Sequence, residues 1–173
     1  MKTLILGGVR SGKSRYAESL AKESGLAVTY IATATRSDAE MTERIETHRL
    51  RRPSHWNIIE EPVRLASVLR NHASVKGFIL VECLTLWLTN LLINDDSKLL
   101  ELEKEALLTT LPTLPGRIVL VSNETNMGVT PIGALGRRYC DEAGVLHQEL
   151  AQICDSVILT VAGIPHILKG GVS

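Results

Sequence analysis

The chain has 173 residues, 45% of them hydrophobic and 3% aromatic, with 19 basic side chains against 19 acidic ones. That length supports a good core, so a single nucleotide-binding domain over residues 1–173 is expected. A net charge of zero argues against a nucleic-acid or anionic-membrane footprint, and so few aromatics leave little for single strands to stack on.

Lys2 to Leu6 is a short, mostly apolar run that reads as a strand and feeds Gly7-Gly8-Val9-Arg10-Ser11-Gly12-Lys13-Ser14. The octet has the G-x-x-x-x-G-K-[ST] spacing of a phosphate-binding loop. Gly7 and Gly12 let the backbone take turns closed to a residue with a Cβ, so that successive N–H groups face phosphate oxygens. Lys13 reaches the β- and γ-phosphates, and the Ser14 hydroxyl is placed to join a Mg²⁺ shell. A helix from Arg15 to Glu23, with Ala17, Leu20 and Ala21 on one face, adds its positive N-terminal end to the same anion.

Gly25 is the expected stop of that helix, and Ala27 to Ala34 reads as a strand buried on both faces. Ser37-Asp38-Ala39-Glu40 matches a capping box, opening a helix that runs to about Leu50 before Arg51-Arg52-Pro53. Trp56 to Ile59 is a short strand candidate, and Pro62 fits the first turn of a helix carrying Leu65, Ala66 and Leu69. Gly77 to Val81 is the next buried strand, followed by a helix from Leu86 to Ile93. Lys98 to Leu111 predicts an amphipathic helix, Arg117 to Ser122 a buried strand, and Ile132 to Cys154 a long helix. Ser156 to Val161 is the last clear strand.

Strands alternating with helices predict an α/β fold with a mostly parallel sheet covered on both faces. With the phosphate loop, this is a three-layer P-loop NTPase sandwich of RecA-like type. Ligands of such sheets sit at the carboxyl ends of the strands, which singles out the phosphate loop, Thr33-Ala34-Thr35, Glu82 and Asn123-Glu124. Cys83, Cys140 and Cys154 lack any C-x-x-C spacing and fit reduced thiols. No apolar run approaches the ~20 residues of a membrane span, and the N-terminus serves as a core strand rather than a signal peptide. A cytoplasmic enzyme is expected.

Two side chains carry further chemistry. Glu82 closes an apolar strand, where P-loop enzymes place the acidic residue that holds Mg²⁺. His48 shares a helical stripe with Met41, Ile45 and Arg52 and stands among Arg44, Arg49, Arg51 and Arg52. Imidazole serves as a general base or as a nucleophile that takes up a nucleotidyl group, and the arginines suit a triphosphate or a departing pyrophosphate. On the residues alone, a partly buried helix histidine beside a solvated basic face is the plainer alternative.

The phosphate loop through Arg15, Tyr30-Ile31-Ala32-Thr33-Ala34, and Arg44-Ile45 with His48-Arg49, Arg52-Pro53 and Trp56 resemble one family together. So do Glu82-Cys83-Leu84-Thr85, Thr89-Asn90-Leu91-Leu92, Ser122-Asn123-Glu124 with Gly128 and Pro131, and Gly163-Ile164. That family is the bifunctional adenosylcobinamide kinase / adenosylcobinamide-phosphate guanylyltransferase of cobalamin assembly. The resemblance implies two reactions on one corrinoid: phosphorylation by ATP or GTP, then transfer of GMP from GTP by way of a guanylylated histidine. His48 matches the motif histidine, which reverses the reading of it from the residues alone. The resemblance also implies a homo-oligomer, a trimer, with sites near subunit contacts. Two positions depart from the family pattern: Glu82, where some relatives carry Asp, and His147, where relatives commonly carry Asn. A carboxylate reads guanine through N1–H and the exocyclic amine, and Glu60 and Glu82 are the candidates for that role. A monofunctional small-molecule kinase and a RecA-like regulatory NTPase are the competing readings.

Overall fold

A computed structural model describes residues 1–35, 53–94 and 96–171. The chain runs β1 (Lys2–Gly7), α1 (Lys13–Glu23), β2 (Ala27–Ala32), β3 (Asn57–Glu60), α2 (Leu65–His72), β4 (Gly77–Glu82) and α3 (Leu84–Ile93). It continues through α4 (Ser97–Thr110), a 3₁₀ turn (Leu111–Thr113), β5 (Arg117–Asn123), α5 (Ala134–Ile153), β6 (Ser156–Val161) and β7 (Ile164–Lys169). The strands form one sheet in the order β3-β2-β4-β5-β1-β6-β7. All pairings are parallel except β6–β7.

The apolar strands alternate strictly between two cores, as the two-residue period of a strand requires. Leu4 and Leu6 of β1, Ile79 and Val81 of β4, and Ile118 and Leu120 of β5 face α2, α3, α4 and α5. Ile5, Phe78, Leu80, Val119 and Val121 point the other way, toward Ala17 and Ala21 of α1 and toward Trp56. The expected three-layer arrangement is present. The largest fully buried side chain, Trp87, also satisfies its polar atom, donating from Nε1 to Val63 O at 2.7 Å.

Differences from the sequence expectations are local. The strand expected to reach Ala34 ends at Ala32, because Thr33 turns its hydroxyl and amide onto neighbouring backbone. Pro62 precedes α2 rather than entering it: Glu61 Oε1 accepts from the amides of Val63 and Arg64, both at 2.8 Å. The strand Ile164–Lys169 was not expected. It forms an exposed edge, where Pro165 is tolerated because an edge strand leaves backbone groups without a ladder partner. A tight turn with Ala162 at φ 51° and Gly163 at φ 83° reverses the chain into it. The capping box at Ser37 and the helix expected to follow lie outside the described residues. The three cysteines are free, and no described helix is long and apolar enough to cross a membrane.

Candidate active site

The phosphate loop leaves β1 in the middle of the sheet, flanked by the carboxyl ends of β5 and β6. Gly7 is packed so closely that a Cβ there would lie 2.4 Å from Ser11 Oγ and 2.6 Å from Thr160 O. Gly12 stands at φ 96°, a conformation open to glycine and costly for any residue with a Cβ. Gly8, Val9 and Arg10 are exposed, so the crest of the loop faces solvent. Helix α1 begins at Lys13 itself, which points its first amides at the bowl of the loop.

Beneath the crest, Lys13 is buried and its Nζ donates to Gly8 O at 3.2 Å. Burial pushes its ammonium below the ordinary value, and the nearby Glu82 carboxylate opposes that shift. Ser14 Oγ donates to Glu82 Oε1 at 2.5 Å. The two residues named separately from sequence, 68 positions apart, are therefore in direct contact at the foot of the loop. A hydroxyl and a carboxylate oxygen are hard donors of the kind Mg²⁺ takes, so this pair fits the ion.

Glu82 is held from behind by Thr33, which is fully buried. Thr33 Oγ1 donates to Cys83 O at 2.6 Å and accepts from Cys83 N at 2.9 Å, while Thr33 N donates to Glu82 O at 3.1 Å. The Glu82–Cys83 peptide is cis. Asn90 of α3 completes the brace, its Nδ2 reaching Thr33 O at 2.8 Å and Pro62 O at 3.1 Å. The Thr33 hydroxyl is thus committed to the protein, and Ala34 and Thr35 continue outward from it toward the surface.

Glu60 is exposed at the end of β3. Its register partner is Ala32, and Ala32 also pairs with Glu82 on the other side. The two carboxylate-bearing positions are two strand spacings apart, roughly 10 Å. His48, Arg49, Arg51 and Arg52 lie outside the described residues. Trp56, from the same predicted motif, is buried and stacks on Tyr30 with ring centroids 6.4 Å apart.

On the other flank, Glu124 N donates to Gly7 O at 3.0 Å, and Asn123 N donates to Thr85 Oγ1 at 2.8 Å. The last hairpin also touches the loop: Gly163 N donates to Ser11 O at 2.8 Å. Neither Thr85 nor Gly163 stood out from the residues beyond its place in a quoted motif, because each acts through a contact between distant segments. A small cleft lined by Met1, Thr3, Phe78 and Ser156 sits at the opposite ends of the strands and shares no residue with this site.

The sequence matches the cobinamide kinase / cobinamide phosphate guanyltransferase family over residues 3–168. It is 62% identical to the bifunctional adenosylcobalamin biosynthesis protein CobP of Pseudomonas aeruginosa, covering 98% of each chain. It is 37% identical to CobU of Escherichia coli, over 95% of this chain and 97% of that one. Among solved structures, the RadB recombinase superposes with a TM-score of 0.54 at 16% identity, covering 91% of this chain and 73% of that chain, a likeness of fold. With a phosphate loop backed by a serine–glutamate pair and a match along nearly its whole length, the chain belongs to the cobinamide kinase / cobinamide phosphate guanyltransferase family.

Proposed function

We propose that the chain phosphorylates the aminopropanol hydroxyl of adenosylcobinamide with ATP or GTP. It then moves GMP from GTP onto that phosphate through His48, releasing pyrophosphate. The observation that carries this reading is the 2.5 Å contact between Ser14 and Glu82 under the phosphate loop. It joins a nucleotide cradle to a carboxylate in a chain of this family.

In the first reaction the loop amides and Lys13 hold the triphosphate while the alcohol oxygen bonds to the γ-phosphorus and the nucleoside diphosphate leaves. Ser14 and Glu82 would hold Mg²⁺, which supplies charge neutralisation on the phosphates when bound. In the second reaction a nitrogen of His48 bonds to the α-phosphorus of GTP as the bond to pyrophosphate breaks. The corrinoid phosphate oxygen then takes GMP, and the N–P bond breaks. Passing through a neutral imidazole keeps the two anionic substrates from meeting at one phosphorus. Arg49, Arg51 and Arg52 would neutralise the α-phosphate and the pyrophosphate. With Glu82 engaged by Ser14, Glu60 is the better candidate for the guanine edge, and Ala34 and Thr35, which follow the buried Thr33 toward the surface, are the nearer candidates for nucleotide contact.

The enzyme is read as cytoplasmic and as a homo-oligomer, trimeric as the family resemblance implies. The exposed Ile164, Ile167 and Leu168 of β7 offer an apolar edge for that contact, and sedimentation equilibrium reads the mass. The test of the chemistry is incubation with α-³²P-GTP. Acid-labile, base-stable label on His48 is expected and its loss in His48→Ala with it. Label that persists in that variant, or that maps to His55, would overturn the assignment.

A further inference from the structure

Behind the phosphate loop, three polar side chains are brought together by the end of β5 and by α5. Ser122 closes the buried part of β5, Glu124 follows that strand, and His147 comes from α5. His147 Nε2 lies 2.8 Å from Ser122 Oγ, and its Nδ1 lies 3.9 Å from Glu124 Oε2. A serine, a histidine and an acid in this order resemble the parts of a hydrolytic triad, where the serine is the reactive, accessible end and the acid is buried. Here the exposure runs the other way. Ser122 is 1% exposed, while the Glu124 side chain is 16% exposed against 8% for His147. Ser122 Oγ is too enclosed to attack a substrate, and the end that opens outward is a carboxylate.

The location of that carboxylate gives it a task. Glu124 N bonds to Gly7 O, which seats the residue at the root of the phosphate loop. On the flanking strand, Glu82 is occupied by Ser14. The turn after Glu124 is pinned: its Oε1 accepts from Asn126 N at 2.7 Å, and Asn126 Nδ2 donates to Cys140 O of α5 at 3.0 Å. A Cβ on Gly144 would come within 2.9 Å of Asn126 Nδ2, so the turn lies directly against the helix that carries His147. Ser122 Oγ engages the ring at Nε2, burial disfavours its charged form, and Nδ1, which makes no hydrogen bond, faces Glu124.

We propose that Glu124 is a further catalytic residue, the proton acceptor for the alcohol in the phosphorylation step, and that His147 is its positioning residue. The alcohol proton passes to the Glu124 carboxylate as its oxygen bonds to the γ-phosphorus, and the bond from that phosphorus to the diphosphate breaks. The buried imidazole backs the carboxylate from 3.9 Å at Nδ1, and burial, by disfavouring the imidazolium, leaves the carboxylate's charge uncancelled. The inference rests on the kinase reading above. The GMP-transfer step needs no such base, because its acceptor is already a phosphate anion.

The two half-reactions are assayed separately, the second with the phosphorylated corrinoid supplied. Glu124→Gln is expected to lower the kinase kcat by ~100-fold or more, with KM for the triphosphate within about 3-fold and GMP transfer retained. An Asn at position 147 places its amide near the Nδ1 position, on the side that faces Glu124, whereas a Gln reaches toward Ser122 instead. His147→Asn is therefore expected to retain most of the kinase kcat and His147→Gln to lose it. Wild-type kinase turnover in Glu124→Gln, equal losses in both half-reactions, or retention in His147→Gln with loss in His147→Asn would each overturn the proposal. A wild-type protein that labels His48 but does not phosphorylate the corrinoid would instead refute the kinase reading itself.

Discussion

A Cβ built on Gly12 would stand 2.9 Å from Gly163 Cα, so the turn of the last hairpin rests directly on the phosphate loop. The hydrogen bond from Gly163 N to Ser11 O, at 2.8 Å, fixes the same contact. Both glycines have positive φ, 96° and 83°. Gly163 has open space where its Cβ would go, so Gly163→Ala should cost only the backbone term, about 1–2 kcal/mol, seen as a lower Tm. Gly12→Ala adds a backbone collision to the strain and should abolish nucleotide binding. Comparable binding of a fluorescent GTP analogue by the two variants would show that the hairpin does not shape the loop.

Lys13→Ala should remove both activities while the fold persists, since one cradle serves both triphosphates. A loss of at least ~100-fold in each kcat is expected, the size seen when a single charge-stabilising donor is removed. Circular dichroism checks the fold, and near-normal turnover in either half-reaction would refute a shared site.

Glu60 and Glu82 flank β2 on opposite sides, and their substitutions should separate. Glu60→Gln should narrow the preference for GTP over ATP, because the carboxylate's pair of acceptors for guanine is reduced to one. Glu82→Gln should raise the Mg²⁺ concentration needed for half-maximal rate and leave nucleotide preference alone. Titrations of rate against Mg²⁺ and against each nucleotide distinguish the two, and an unchanged base preference in Glu60→Gln would remove it from the guanine site.

Burial holds His147 below its ordinary value of 6.5, with the Glu124 carboxylate opposing. The unfolded chain takes up a proton at this residue at a higher pH than the folded one does. Stability is therefore fully present above the unfolded value and falls as the pH drops below it, toward the folded one. Tm measured from about pH 7.5 down to 5 should decline less steeply in His147→Asn than in the wild type. Parallel declines would show that His147 is not the group responsible.

Much of this architecture follows from local sequence. The two-residue alternation in β1, β4 and β5 dictates a sheet with two buried faces, since each apolar strand must cover both. The glycines, Lys13 and Ser14 announce a phosphate loop because that chemistry is packed into eight consecutive residues. What escaped was non-local. Ile164–Lys169 is exposed along its length, so it carries no burial pattern to read, and pairing with β6 alone makes it a strand. Thr33 stands at a strand end where ligands of such sheets bind, and only the approach of β4 commits its hydroxyl to the Cys83 backbone. Glu124 stands out in sequence as a strand-end residue and His147 as a departure from the family pattern, but nothing local joins them to each other or to Ser122. They become a chain with one accessible end only because α5 packs across the end of β5, where burial decides which of the three meets solvent.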